Sequence, residues 1–223
     1  MKNIELLVLD MAGTTIDEDN VVYKTLMKAV NDYGYNVSLE KVLLSCAGME
    51  KLEAISSLLK EIGGNEEDAA AIFENFSDQL KTAYQNLEVK PINGVENFLK
   101  KMRAQDKKIV LNTGYTSEIA QQLLEKLGWK KNAHFDALIT ADDVSESRPS
   151  PEMILLAMKK FNIHEPEKVL KAGDSVIDIE EGKNAGCGVT VAVLSGAQSK
   201  AELEKSNPDY IFNTISEAER FFY

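Results

Sequence analysis

The chain has 223 residues, 44% of them hydrophobic, which is enough for one ordinary domain or one domain carrying a smaller insertion. Its net charge of −11 and pI near 4.8 argue against a nucleic-acid binder, which carries a basic face. Cys46 and Cys187 match no zinc spacing and give no disulfide framework, two histidines cannot make a histidine-rich metal centre, no apolar run is long enough to span a membrane, and the N-terminus enters a strand directly; a cytoplasmic, reducing setting is expected.

Residues 5–9 read as a short buried strand that stops at Asp10 and runs into Gly13, Thr14 and Thr15. A carboxylate at the end of a buried strand is costly unless a metal or hydrogen-bond donors offset it. Glycine with two hydroxyl residues supplies the tight backbone and donors that suit a phosphate. An ordinary Asp–Gly turn has the same composition. From Asp17 to Glu88 the apolar period becomes helical: Val22, Leu26 and Val30; a short helix capped by Ser38; Lys51–Ile62 with Ile55, Leu58 and Leu59; then Glu66–Tyr84. No strand signal interrupts it. This predicts a helical cap, residues 17–88, inserted into a core made of residues 1–16 and 89–223. The two connections, near Asp17 and Glu88–Pro91, predict a hinged rigid body whose own hydrophobic core meets that of the sheet over Asp10.

After Pro91-Ile-Asn-Gly94 strands and helices alternate. Strands are expected at 108–111, 137–140, 169–172 and 189–193, with a short edge strand at 209–212. Helices are expected at 95–103, 116–127, 151–161 and 176–185, followed by a last helix. The fold class is therefore α/β, a doubly wound parallel sheet with helices on both faces. Such sheets bind ligands outside the carboxyl ends of the strands. That directs attention to Asp10, Asn112-Thr113-Gly114-Tyr115, Asp142-Asp143 and Gly173-Asp174-Ser175.

Asp10 and Asp174 on neighbouring strand ends would make a pair of hard oxygen ligands suited to Mg²⁺. With its charge masked, an oxygen of Asp10 can attack phosphorus and split one difficult step into two. Thr113 could offer its hydroxyl and its backbone N–H to a phosphoryl oxygen, and Arg148 a fixed positive charge. Asp178 could orient the metal site from behind, although Ser175-Val-Ile-Asp178 equally fits a helix capping box.

Asp10-Met-Ala-Gly-Thr-Thr-Ile-Asp17, Thr113-Gly-Tyr115, Arg148-Pro-Ser-Pro151 and Gly173-Asp-Ser-Val-Ile-Asp178-Ile-Glu-Glu-Gly182 resemble the four motifs of the haloacid dehalogenase superfamily, and the helical insert lies where that superfamily places its cap. Within the superfamily the sequence is similar to the phosphonatase-like branch. The resemblance implies a Rossmann-like core and Asp10 as nucleophile. It implies Mg²⁺ on Asp10, Asp174 and the carbonyl of Ala12, and phosphate contacts from Thr113, Gly114 and Arg148, beside the loop Ala12, Gly13, Thr14.

Ala12 decides the branch. Most phosphatases of the superfamily carry an aspartate there as general acid for an alkoxide leaving group, and alanine has no proton to give. The phosphonatase-like branch also has alanine, because its leaving group is carbon and needs an electron sink. Lys51, in Gly48-Met-Glu-Lys-Leu-Glu-Ala-Ile55, matches the cap motif carrying a lysine that forms an imine with the substrate aldehyde. A free lysine is neutral in only about one molecule in 2500 at pH 7, so that role requires burial or a nearby cation; otherwise Lys51 is a solvated helix lysine. The chain departs from the branch by being shorter than usual and by having Glu53-Ala54 where Asp-His is the pattern. The expected partner is a small phosphonate or phosphate metabolite, with no nucleic acid or membrane, for a monomer or homodimer. Hydrolysis of a phosphonoacetaldehyde-type C–P bond leads. A small-metabolite phosphate monoesterase follows, and a non-catalytic phosphate-binding module is third.

Overall fold

The computed structural model of the chain describes residues 3–222. Strand β1 (Leu6–Asp10) is buried along its whole length. Two-residue strands β2 (Ile16–Asp17) and β3 (Lys90–Pro91) pair antiparallel at the two ends of the helical insert. The insert holds α1 (Val21–Asp32), α2 (Leu39–Cys46), α3 (Lys51–Glu61) and α4 (Ala69–Asn86). The core continues with α5 (Val95–Ala104), β4 (Lys108–Asn112), α6 (Ser117–Leu127), β5 (Ala137–Ile139), α7 (Glu152–Lys160), β6 (Val169–Gly173), α8 (Val176–Asn184), β7 (Val189–Val193) and β8 (Tyr210–Phe212).

The six long-range strands form one parallel sheet in the order β5-β4-β1-β6-β7-β8. Period-two alternation explains why β1 is apolar throughout. Leu7 and Leu9 join the cluster containing Phe98, Leu99 and Met102 of α5 on one face, and Leu6 and Val8 join Ile154, Ala157 and Met158 of α7 on the other. Each such leucine or valine contributes about 1.5–3 kcal/mol on burial. The chain runs outward from β1 through β4 to β5, then crosses to β6 on the opposite side of β1. The crevice beyond the carboxyl ends of β1, β4 and β6 lies at that reversal.

In the cap, Val22, Leu26 and Val30 of α1 are buried at i, i+4 spacing with Ile72, Phe76 and Leu80 of α4. Ser38 caps α2 by accepting from the Lys41 N–H, and Glu50 caps α3 through the Glu53 N–H. No helix among the described residues is long and apolar enough to cross a membrane.

Four sequence expectations need correction. Strand structure does occur at the insert's boundary, because Ile16–Asp17 and Lys90–Pro91 satisfy each other's backbone groups in a ribbon too short to leave a periodic signal. The last helix is a 3₁₀ segment, Ile215–Phe222. The cap and the sheet do not keep two separate cores: one continuous apolar cluster runs from Val22 and Leu26 to Leu7 and Leu9. Asp142 and Asp143 form a 3₁₀ turn in which they accept bonds from Ser117 and Thr140, so these acids serve the loop rather than the crevice.

Candidate active site

The strand ends deliver charge to a buried place. Asp10 faces Asn112 across the β1–β4 ladder and is 4% exposed. Its Oδ1 accepts from Arg148 Nη1 at 2.7 Å, and the same nitrogen donates to Asp178 Oδ1 at 2.6 Å. Behind them Lys171, from the middle of β6, lies 2.9 Å from Asp178 Oδ1 and 2.9 Å from Glu181 Oε2, and donates to Asn112 Oδ1 at 2.7 Å. Asn112 Nδ2 closes the ring onto Glu181 Oε1 at 2.9 Å. Asp178 Oδ2 also accepts from Ser175 Oγ, so the capping-box residue and the site residue are the same carboxylate. Asp174 accepts the Ala197 N–H through Oδ2.

Asp10, Asp174 and Asp178 place one oxygen each within 4.8 Å of one another. Four buried carboxylates (Asp10, Asp174, Asp178, Glu181) face two buried cations (Arg148, Lys171), an excess of two negative charges. The strain falls unevenly. Burial pushes the Asp10 carboxyl up to about 6, with Asp178 adding to the rise and Arg148 opposing it. Burial raises Asp174 well above the carboxylate range, aided by Asp10 and Asp178. Burial also acts on Asp178, but Lys171 and Arg148 outweigh it and hold that carboxyl low. Asp10 and Asp174 therefore carry the unmatched charge, and a divalent cation with hard oxygen preference fits it.

The loop after β1 is fitted closely around Asp174. Gly13 has φ +79°, and a Cβ there would collide with Asp174 Oδ2 and lie 2.7 Å from Gly196 Cα. Its N–H donates to the Ile16 carbonyl and its own carbonyl accepts from Ser195 Oγ, so Gly13 supplies space rather than a donor to a ligand. Ala12 is half-buried and bridges Ile16. Thr15 Oγ1 donates to the Asp10 carbonyl. Thr113 needs a correction. Its N–H is spent on the Ile139 carbonyl, while its Oγ1 accepts from the Tyr115 N–H and keeps its own proton for donation. Two buried polar atoms beside this loop, Thr14 Oγ1 and Arg148 Nε, have no protein partner. Both are donors, which is what an anionic oxygen ligand would need.

The cap supplies the opposite wall. A Cβ on Gly48 (φ +79°) would collide with Ser175 Oγ and lie 2.9 Å from Ile177 Cβ, so the α2–α3 loop rests directly on the core. A Cβ on Gly114 would be 3.2 Å from Arg148 Nη2 and 3.5 Å from the Gly48 and Met49 carbonyls. Lys51, the first residue of α3, is 6% exposed and is no solvated helix lysine. Its Nζ donates to the Met49 carbonyl and sits 5.3 Å from the Tyr23 ring centroid and 5.9 Å from that of Tyr115. Burial, helped by the Arg148 guanidinium, lowers its ammonium to about 8. Nearby, buried Glu18 accepts from Tyr84 Oη at 3.1 Å, and burial raises its carboxyl to about 8 against the pull of that bond and of Lys51. Ala54, where the branch pattern has histidine, is fully buried within α3.

A model of the haloacid dehalogenase-like hydrolases matches residues 7–192. The chain belongs to that family. This haloacid dehalogenase-like hydrolase is 28% identical to the phosphonoacetaldehyde hydrolase of Latilactobacillus sakei, over 97% of this chain and 94% of that one. Among solved structures it is similar to a phosphonoacetaldehyde hydrolase-like protein from Oleispira antarctica, with TM-score 0.84 and 24% identity over 98% of this chain and 91% of the other. It is also similar to a hydrolase from Pseudomonas syringae, with TM-score 0.84 and 20% identity over 97% and 96%. At these identities the structural likenesses establish the α/β fold alone.

Sequence reasoning overlooked three members of the site. Lys171 had a signal, since a charged residue inside the otherwise apolar Val169–Gly173 strand must find buried partners. Glu181 stands three residues after Asp178, on the same helix face. Glu18 left none: next to Asp17 and Asp19 it reads as one of three solvated acids.

Proposed function

We propose that this hydrolase cleaves the carbon–phosphorus bond of a small carbonyl phosphonate, working through a phosphoryl intermediate on Asp10 and an imine on Lys51. The observation that supports it is Lys51, a buried cap lysine whose ammonium is lowered by burial and by Arg148 and which feels the charge of Asp10, in a chain whose Ala12 has no proton for an ester leaving group. At about pKa 8 the amine is neutral in about one molecule in ten at pH 7, against about one in 2500 for a free lysine.

Neutral Lys51 Nζ adds to the substrate carbonyl, the oxygen leaves as water, and one proton taken up from solvent gives a protonated imine two bonds from phosphorus. Arg148 and the Thr113 hydroxyl orient the phosphonate oxygens. An Asp10 carboxylate oxygen attacks phosphorus, the C–P pair moves into the iminium, and an enamine on Lys51 departs. Water then releases phosphate from Asp10. The enamine takes a proton at carbon and is hydrolysed, freeing Lys51 and the carbonyl product. Asp10, Asp174 and the Ala12 carbonyl would hold Mg²⁺, which when bound offsets the negative charge of nucleophile and phosphonate. Asp178, fixed by Lys171 and Ser175, keeps Arg148 directed at Asp10.

A second reading, hydrolysis of a phosphate monoester, draws support from Glu18. A carboxyl with pKa about 8 holds its proton at neutral pH and could donate it to an alkoxide. Borohydride reduction with phosphonoacetaldehyde, followed by mass mapping, separates the two. The imine reading expects a reduced adduct on Lys51 that is lost in Lys51→Arg, because arginine keeps the charge but forms no imine. Full turnover of the carbonyl phosphonate by Lys51→Arg would overturn it.

A further inference from the structure

Beside Lys51 lies a cavity of about 210 Å³ between cap and core. Phe73, Phe76 and Leu80 of α4 wall it from above, Tyr115 and Ile119 from below, and Lys51 and Gly114 belong to its lining. Gly114 is also the residue packed against Arg148, which holds Asp10. The cavity therefore has Lys51 in its own lining and is one residue, Gly114, away from the guanidinium that holds Asp10. Phe76, Leu80 and Tyr115 are buried and Phe73 and Ile119 half-buried, so the apolar walls are largely withdrawn from solvent.

A two-carbon aldehyde on Lys51 leaves this volume to water. At about 30 Å³ per water-sized group, the cavity has room for about seven further heavy groups. An apolar space this size gains by taking an apolar group instead. Glu50 and Glu118 in its lining are balanced by Lys51 and Lys81, so the apolar side chains rather than net charge set the preference, and an apolar group is favoured over a carboxylate that would have to be desolvated.

We propose that the substrate is a β-ketophosphonate, R–CO–CH₂–PO₃²⁻, whose apolar substituent R occupies the cavity between α4 and Tyr115–Ile119. This rests on the imine reading above. The overall reaction balances as R–CO–CH₂–PO₃²⁻ + H₂O → R–CO–CH₃ + HPO₄²⁻: the C–P bond breaks, a P–O bond forms, and the methyl carbon takes the proton. The product is a methyl ketone.

The test compares phosphonoacetaldehyde, 2-oxopropyl-, 2-oxopentyl- and 2-oxo-2-phenylethylphosphonate, and 3-phosphonopyruvate, with the intact protein and Mg²⁺. Both phosphate release and borohydride-trapped adduct on Lys51 are measured. Expected is a rise in kcat/KM of about fourfold per buried methylene, from about 0.8 kcal/mol each, with the phenyl or pentyl ketone best and phosphonopyruvate worst. Ile119→Trp, and independently Ser77→Leu in case the first misfolds, should lower the ratio of phenyl ketone to aldehyde kcat/KM by tenfold or more. Adducts on Lys51 with flat or falling kcat/KM along the series would overturn the ketone proposal and leave the imine reading standing. Absence of an adduct with every member, alongside turnover of an ester, would overturn both.

Discussion

Two lysines are buried among the described residues and they are treated oppositely. Lys171, in the core, touches Asp178, Glu181 and Asn112, and although burial opposes its charge those partners raise its ammonium above the usual lysine range. Lys51, in the cap, has one backbone carbonyl and two aromatic rings, and burial lowers it to about 8. The same side chain is locked as a permanent cation in one place and held near neutrality in the other. Partners, rather than burial alone, decide which.

The largest effect belongs to the group that Lys171 supports at one remove. Asp10→Asn should reduce turnover by at least about 10⁴-fold while thermal unfolding stays cooperative, because an amide oxygen is a poor nucleophile. Retained activity in purified Asp10→Asn with Mg²⁺ would remove Asp10 from the chemistry. Next, the lysines themselves should separate. Lys171→Met leaves Glu181 without its cation and Asp178 with Arg148 alone, and should cost about 3–5 kcal/mol in denaturant unfolding. Lys51→Met removes a cation that burial already penalises and should be neutral or stabilising while abolishing imine formation. Equal destabilisation by the two would erase the distinction.

Asp174 sharpens the comparison from the anionic side. Without a metal its charge is a cost, since burial, Asp10 and Asp178 all act against it. Mg²⁺ at about 100 times its Kd should stabilise the protein by about 2.7 kcal/mol. Asp174→Ala should abolish most of that increment yet lower metal-free stability little. An unchanged Mg²⁺ increment would make Asp174 a purely structural residue, held by the Ala197 N–H.

The sequence shows the site best where charge interrupts a strong apolar pattern. Asp10 after four buried strand residues and Asp174 after β6 both stand at ends that the sheet must bring together, since β1 and β6 are neighbours. Lys171 obeys the same logic and was readable on it. What resisted reading is what depends on the cap's position. Whether Lys51 is solvated or buried is settled by Gly48 resting on Ser175 and Ile177, more than a hundred residues away. Whether Glu18 is a surface acid is settled by Tyr84 at the far end of α4. Local sequence carries no information about such long-range docking. The β2–β3 ribbon was illegible because two residues give no period.

The smallest predicted effect discriminates most between reactions. Lys51 and Glu18 both titrate near 8, but the two readings use opposite forms of them. Imine formation needs Lys51 deprotonated, so with saturating carbonyl phosphonate and Mg²⁺ the rate should rise about fivefold between pH 7 and pH 8 and then level off. Ester hydrolysis with Glu18 as acid needs that carboxyl protonated, so its rate should fall through the same range, and Glu18→Gln should flatten the fall by removing the proton. The same substitution should keep a rising limb on a carbonyl phosphonate, moved toward lower pH, because it removes a carboxylate that attracts Lys51 while leaving burial and Arg148, which lower the ammonium, in place. A profile that falls through pH 8 on every phosphoryl substrate, and loses that fall in Glu18→Gln, would transfer the catalytic role from the lysine to the glutamate.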